Sequence, residues 1–208
     1  MHTLDQLNAL SLQDFVAALD GVFEHAPWVA ETVASQRPFF TVTALHEALI
    51  SAVAAAPHDA RISFLRGHPP LSSKALADPG LTSESRLEQG GLGMAALGDR
   101  LARFDTVSAA YEARFGFPFI VCVRRQTPPF VLRGLERRLE NTPDQEFTAA
   151  LAEIGHITRL RLVDRVTGPG TPKTTGHVSS HVLDTARGKA AEGVRIELFR
   201  EGVKIKEA

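Results

Sequence analysis

From Ser11 to about Val166 the apolar residues of this chain recur at helical spacing, and at Thr167 that pattern stops. Such a sequence can bury its apolar surface by packing helix against helix, and only the final residues lie outside that scheme. Phe147, Leu151, Ile154, Ile157 and Leu160 carry the pattern most clearly. Just ahead of them, Thr142-Pro143-Asp144-Gln145 combines a capping box, a proline at the first helical position and acid in the first turn. Helices are also expected after a Ser11 cap, over Pro27–Ala34, over Ala44–Ala56 with Thr43 as cap, from Thr82 or Ser83 through Glu88, over Met94–Arg114 and over Pro129–Glu140. His58 to Pro70 reads as a loop, Asp78-Pro79-Gly80 as a turn, and Gly90, Gly91 and Gly93 as a weak point. Phe119 to Val123 is too short and too β-prone for a helix and reads as a buried extended segment.

Thr167 to Gly176 offers nothing to anchor a core and reads as a linker. Beyond it, Val178–Leu183 and Val194–Phe199 are β-like, but two strands in residues 177–208 cannot stand alone as a domain. The expected organisation is an α-helical domain at 1–166, a linker at 167–176 and an incomplete β segment at 177–208.

Lys and Arg total 23 against 24 Asp and Glu, with 44% hydrophobic residues. A balanced charge with no basic block offers nucleic acid or an anionic membrane no electrostatic footprint. No apolar run is long enough to span a bilayer, the N-terminus has no signal-peptide profile, and Cys122 is the only cysteine. The expectation is a cytoplasmic protein without disulfides.

Three polar anchors interrupt the apolar pattern. The first is His68-Pro69-Pro70-Leu71, where two prolines stiffen the backbone after a titratable imidazole. The second is Ser85-Arg86-Leu87-Glu88-Gln89, where helical geometry puts a hydroxyl, a carboxylate and an amide on one face. The third is Phe115-Gly116-Phe117-Pro118-Phe119-Ile120, with Gly116 expected at a positive φ between helix and extended wall. Arg161, on the last helix, is suited to a bidentate grip on a carboxylate. Taken singly, the pieces read more simply as a solvated helix face, a surface histidine, a core segment and a surface ion pair. His177 and His181 lack a third metal ligand, so no metal site is expected.

In this order and spacing, together with Pro27-Trp28-Val29, the anchors resemble the 2-oxo-4-hydroxy-4-carboxy-5-ureidoimidazoline (OHCU) decarboxylases of urate breakdown, over roughly Leu4 to Val166. The resemblance implies His68 and Glu88 at the catalytic positions, His68 as proton donor and Glu88 orienting both His68 and the substrate. It implies substrate contacts from Pro69, from Ser85, Arg86, Leu87 and Gln89, from Phe119, Ile120, Val121, Cys122 and Val123, and from Arg161. It also implies a small-molecule substrate, no cofactor, and a homodimer as a possible assembly. Pro70 departs from the family, which commonly has aspartate there. The stretch Val178 to Ala191 resembles the start of a transthyretin-like 5-hydroxyisourate hydrolase, with His181 as its first active-site histidine. The rest of that domain is absent, so no hydrolase activity is expected. Two other readings are a non-catalytic helical interaction module and a fragment of a longer bifunctional enzyme.

Overall fold

The computed structural model describes all residues except 72–81, 93, 175–181, 185, 192, 201, 202 and 208. The Asp78-Pro79-Gly80 turn, His177 and His181 lie outside the described residues. The described part is predominantly helical and divides into two compact units, Met1–Thr174 and Thr175–Ala208.

The first unit is built from helices α1 (Leu4–Ala9), α2 (Leu12–Ala18), α3 (Pro27–Val33), α4 (Val42–Ala55), α5 (His58–Arg66), α6 (Ser83–Leu92), α7 (Leu101–Phe115), α8 (Pro128–Arg138) and α9 (Pro143–Val163). Local chemistry sets most of the starts. Ser11 accepts a hydrogen bond from the Asp14 amide at α2, Pro27 opens α3, and Thr142 with Gln145 forms the full capping box at α9. Leu7, Phe15, Val29, Leu45, Leu49, Leu65, Phe104, Tyr111, Leu135 and Ile154 meet in one core, essentially removed from water. Burial on this scale, at about 25 cal/mol per Å² of apolar surface, is the main term holding the bundle.

Four sequence expectations need correction. The α4 cap is Thr41, whose hydroxyl accepts from the Ala44 amide, while Thr43 lies inside the helix and donates to the Gly170 carbonyl. His58–Arg66 is helical rather than a loop: Pro57 precedes its first turn, Asp59 lies within that turn, and Phe64 and Leu65 enter the core. The Met94–Arg114 helix is split: Met94–Arg100 is 3₁₀, kinked at Gly98 with φ 53°, and α7 begins only at Leu101. The stretch from Thr167 is docked against the helices for several residues. His2–Thr3 (β1) pairs in parallel with Val166–Thr167 (β2), and the Val42 amide donates to the Pro169 carbonyl. Gly168 sits so close to Leu4 that an added Cβ would come within 2.9 Å of its side chain.

Phe117, Phe119, Ile120 and Cys122 are buried in a non-helical stretch, as the sequence suggested, and a 3₁₀ turn begins at Val123. In the second unit, Leu183–Asp184 (β3) pairs antiparallel with Lys189–Ala190 (β4), and Glu197–Arg200 (β5) with Val203–Glu207 (β6). No helix among the described residues is long and apolar enough to cross a membrane.

Candidate active site

Thr82 caps α6 by accepting from the Ser85 amide, and this fixes the helix's rotational setting. At 3.6 residues per turn, Ser85, Glu88 and Gln89 face inward and Arg86 and Leu87 face out. Leu87 is 78% exposed.

On α9, Arg161 meets that inward face. Its Nε and Nη2 donate to the two Glu88 oxygens at 3.1 and 2.7 Å, and Nη2 also donates to the Ser85 hydroxyl at 3.0 Å. Nη1 donates to Glu24 at 2.7 Å and to the Gly21 carbonyl at 3.3 Å. All five guanidinium N–H groups are therefore engaged. Glu24, on the turn between α2 and α3, is sealed from solvent and takes further hydrogen bonds from the Thr82 and Ser85 hydroxyls at 2.6 and 2.9 Å. Burial pushes the Glu24 carboxyl up, but the bonds from Thr82, Arg161 and Ser85 outweigh it and hold the group below the usual carboxylate range. Burial works against the Arg161 charge too, and its bonds to Glu88 and Glu24 overcome it.

His68 follows the C-cap of α5, with its amide bonded to the Leu65 carbonyl. It is 9% exposed, and its ring meets Phe64 edge-on at 4.8 Å. Nδ1 lies 3.0 Å from the Phe64 carbonyl oxygen, which can only accept, so Nδ1 carries the hydrogen. Burial is the main force on this imidazole and pushes it down to about 4, against the raising effects of the Phe64 carbonyl and the Glu24 charge. At neutral pH the ring is uncharged, with the Nε2 lone pair available and no hydrogen bond to it among the described residues. Glu88, expected to orient His68, makes no hydrogen bond to it: the Phe64 carbonyl orients the ring, and Glu88 accepts from Arg161.

A narrow cavity of about 40 Å³ brings the anchors together. His68, Pro69, Ser85, Glu88, Gln89, Phe119, Ile120, Val121, Val123 and Arg161 all line it, and so do Leu71 and Ile157. The Gln89 side-chain oxygen is buried with no partner among the described residues, an acceptor still lacking a donor. Gly116 does adopt a left-handed φ of 76° and turns the chain from α7 into the wall. Cys122, also expected at the site, does not line the cavity; its N–H donates to Glu153 at 2.7 Å. Burial pushes its thiol up to about 11. Arg86 and Leu87 are not brought to this cavity. Leu87 lines an outer pocket of about 580 Å³ instead, along with Met1, His2 and Arg165. Glu88 and Arg161 border both spaces.

Glu24 is the member of this cluster that sequence reading missed. Its one signal was a carboxylate between the apolar Phe23 and Ala26, both of which turn out buried. No group of three or more His, Cys, Asp or Glu side chains that could hold a metal lies among the described residues.

Comparison with known proteins points the same way. The sequence profile of the OHCU decarboxylase family matches residues 8–163. The 2-oxo-4-hydroxy-4-carboxy-5-ureidoimidazoline decarboxylase of Haloferax volcanii is 36% identical over 168 residues, covering 79% of this chain and 98% of that protein. The protein of the same name from Amia calva is 38% identical, covering 80% of this chain and 95% of its own length. Among solved structures, a crystal structure of (S)-allantoin synthase aligns with a TM-score of 0.66 at 28% identity, over 100% of this chain and 70% of that one.

Proposed function

Because this chain belongs to the OHCU decarboxylase family, we propose that it is a carboxy-lyase that converts OHCU to (S)-allantoin and CO2 in urate degradation. The observation that carries the reading is the cavity itself. It joins an uncharged His68 with a free Nε2 to an arginine–carboxylate pair and an unpartnered amide oxygen.

The substrate's chemistry defines what the side chains must do. As the carboxylate leaves carbon 4, the electron pair of the broken bond passes into the ring C=N, and that nitrogen takes a proton. The 4-hydroxyl then becomes a carbonyl as its proton departs, and carbon 5 gains one. In sum, one proton is consumed for each carboxylate lost as CO2. The ring itself accepts the electrons, so the protein's tasks are to orient the breaking bond and direct protons.

His68 begins with no proton on Nε2, so it acts first as acceptor and then as donor. It takes the hydroxyl proton and delivers a proton to one face of carbon 5. That delivery sets the (S) configuration. Arg161 is the partner for the substrate carboxylate. Its five donors are already engaged, so the carboxylate gains access by displacing an acceptor; Ser85 and Glu88 both border the cavity, and Glu88, which holds two of the donors and keeps some exposure, is the one displaced. Glu88, once released, orients the hydroxyl or ureido group, while Glu24 keeps Arg161 in place. The Gln89 oxygen accepts from a ureido or ring N–H. We further propose that residues 177–208, which resemble the start of a hydroxyisourate hydrolase domain, do not by themselves turn over hydroxyisourate.

The test is time-resolved circular dichroism on OHCU made in situ from urate by uricase and a complete hydroxyisourate hydrolase. Adding this protein should bring a fast rise of the (S)-allantoin signal. If only the slow racemic decay is seen, the reading is wrong and an interaction module takes its place. Omitting the separate hydrolase should leave hydroxyisourate to decay at its spontaneous rate.

A further inference from the structure

The cavity wall from Phe119 to Val123 has an unusual mechanical situation. It belongs to no sheet among the described residues, so no ladder of backbone bonds fixes it. Nor is it packed solidly from behind: Phe119 and Val121 also line a second cavity of about 590 Å³, which reaches across to α8. A chain segment with space on two sides has to be positioned by specific polar bonds.

Among the described residues, two side chains bond to the segment's backbone. The Cys122 amide donates to Glu153 on α9 at 2.7 Å. The Ile120 carbonyl accepts from Arg138 Nη1 on α8 at 2.8 Å. Arg138 is itself immobilised. Its Nε and Nη2 donate to one oxygen of Glu146 at 2.9 and 2.6 Å, and that carboxylate also takes the Tyr111 hydroxyl and the Asn141 amide. Glu146 is completely buried, and Arg138 nearly so. The guanidinium also lies over the Phe119 ring at 4.7 Å, and Tyr111 meets that ring edge-on at 5.3 Å. One arginine therefore holds both the backbone and the first aromatic ring of the wall, from the side away from His68.

We propose that Arg138, anchored by Glu146 and Tyr111, is a positioning residue that holds the Phe119–Ile120 wall and thereby fixes how the substrate ring is presented to His68. The inference rests on the decarboxylase reading of that cavity. The fork geometry is essential, because a single ammonium cannot serve Glu146 and the Ile120 carbonyl from the two sides that a guanidinium spans. A loosened wall lets the ring tilt, which weakens binding and lets protons arrive on either face of carbon 5.

The experiment compares wild type with Arg138→Lys at enzyme concentrations where spontaneous decay is negligible. It reads kcat, KM and the enantiomeric composition of the allantoin, with hydrogen–deuterium exchange of the 119–123 peptide alongside. For Arg138→Lys the expected result is a KM raised about tenfold, a smaller (S) excess and faster local exchange, with the pH profile of turnover unmoved. Tyr111→Phe, which removes one bond to Glu146, should shift KM and (S) excess in the same direction by less. Glu153→Ala, which removes the other hold on the wall, should do so too and serves if Arg138→Lys does not fold. Variants that lose only active-protein yield, with KM and (S) excess as in wild type, would show a purely structural role and overturn the proposal. If wild type itself gives only racemic allantoin at the spontaneous rate, the decarboxylase reading fails and this proposal with it.

Discussion

The helical unit contains two buried arginine–carboxylate clusters, and they are built on opposite plans. Around Arg138, a single carboxylate, Glu146, takes Nε and Nη2 together with Tyr111 and Asn141 and has no exposed surface, while Nη1 goes to the Ile120 carbonyl. Around Arg161, two carboxylates share one guanidinium. Glu24 is sealed, while Glu88 keeps 13% of its side chain exposed and borders a cavity. The sealed cluster has nothing to exchange, so it holds its neighbours in place. The open cluster has one fixed partner and one replaceable partner, which is what a residue needs if it is to release an internal carboxylate for an incoming one. Burying a charge pair is costly in either case. The difference lies in whether one of its contacts can be handed to a ligand.

The largest expected effect breaks the comparison if it is wrong. Arg138→Met leaves Glu146 sealed without its cationic partner, and should lower stability by about 3–5 kcal/mol. Urea unfolding with an unchanged slope would measure it. Arg161→Met should cost less stability, since Glu88 can turn to water and Glu24 keeps Thr82 and Ser85, but it should reduce turnover about a hundredfold. Equal stability losses would show that the two clusters are of one kind.

A second prediction concerns His68, which lines the same cavity as the open cluster. Its imidazole titrates near 4 when folded and near 6.5 in the unfolded chain. Between those values the unfolded state binds the proton and the native state does not, so stability falls as the pH drops from 6.5 toward 4. The loss reaches about 3 kcal/mol at the bottom of that window. Unfolding free energies of wild type and His68→Asn, taken across the window, should converge by that amount as the pH falls. His68→Asn should also lower turnover by more than tenfold.

Glu24→Gln sharpens the picture further. It keeps an acceptor for Thr82 and Ser85 but removes the fixed charge beside Arg161. A stability loss of about 2 kcal/mol and roughly tenfold slower turnover are expected. If activity is untouched, Glu24 does not anchor Arg161 for catalysis. The smallest effect lies outside both clusters: Thr142→Ala removes the α9 cap, costing about 1 kcal/mol of stability, read as a lower urea midpoint, with turnover unchanged.

The features legible in the sequence were the local ones. Ser11, Pro27 and the Thr142–Gln145 box act within one helical turn, so their residue types alone announce them. The inward set Ser85, Glu88 and Gln89 was legible for the same reason, since helical periodicity decides it, and the outward placement of Arg86 and Leu87 follows from that same periodicity. Helix α5 was missed because the prolines at 57, 69 and 70 suggested a loop, while its burial depends on how Phe64 and Leu65 meet other helices. Glu24 was invisible for a deeper reason. It meets Arg161 across 137 residues of chain, and no periodicity records such an approach. The bond from Arg138 to Ile120 is equally tertiary, so the wall could be read from its aromatic residues but its support could not.

The short parallel pair of β1 and β2 joins the first residues of the helical unit to the end of its last helix, with the His2 amide bonded to the Arg165 carbonyl at 2.8 Å. Met1, His2 and Arg165 are also walls of the outer pocket that Glu88 and Arg161 border. Fraying of the chain's start and widening of that pocket are consequently one event. Anything that tightens this clasp narrows the approach to Glu88 and Arg161, and anything that loosens it opens the approach, without a single residue of the inner cavity being changed.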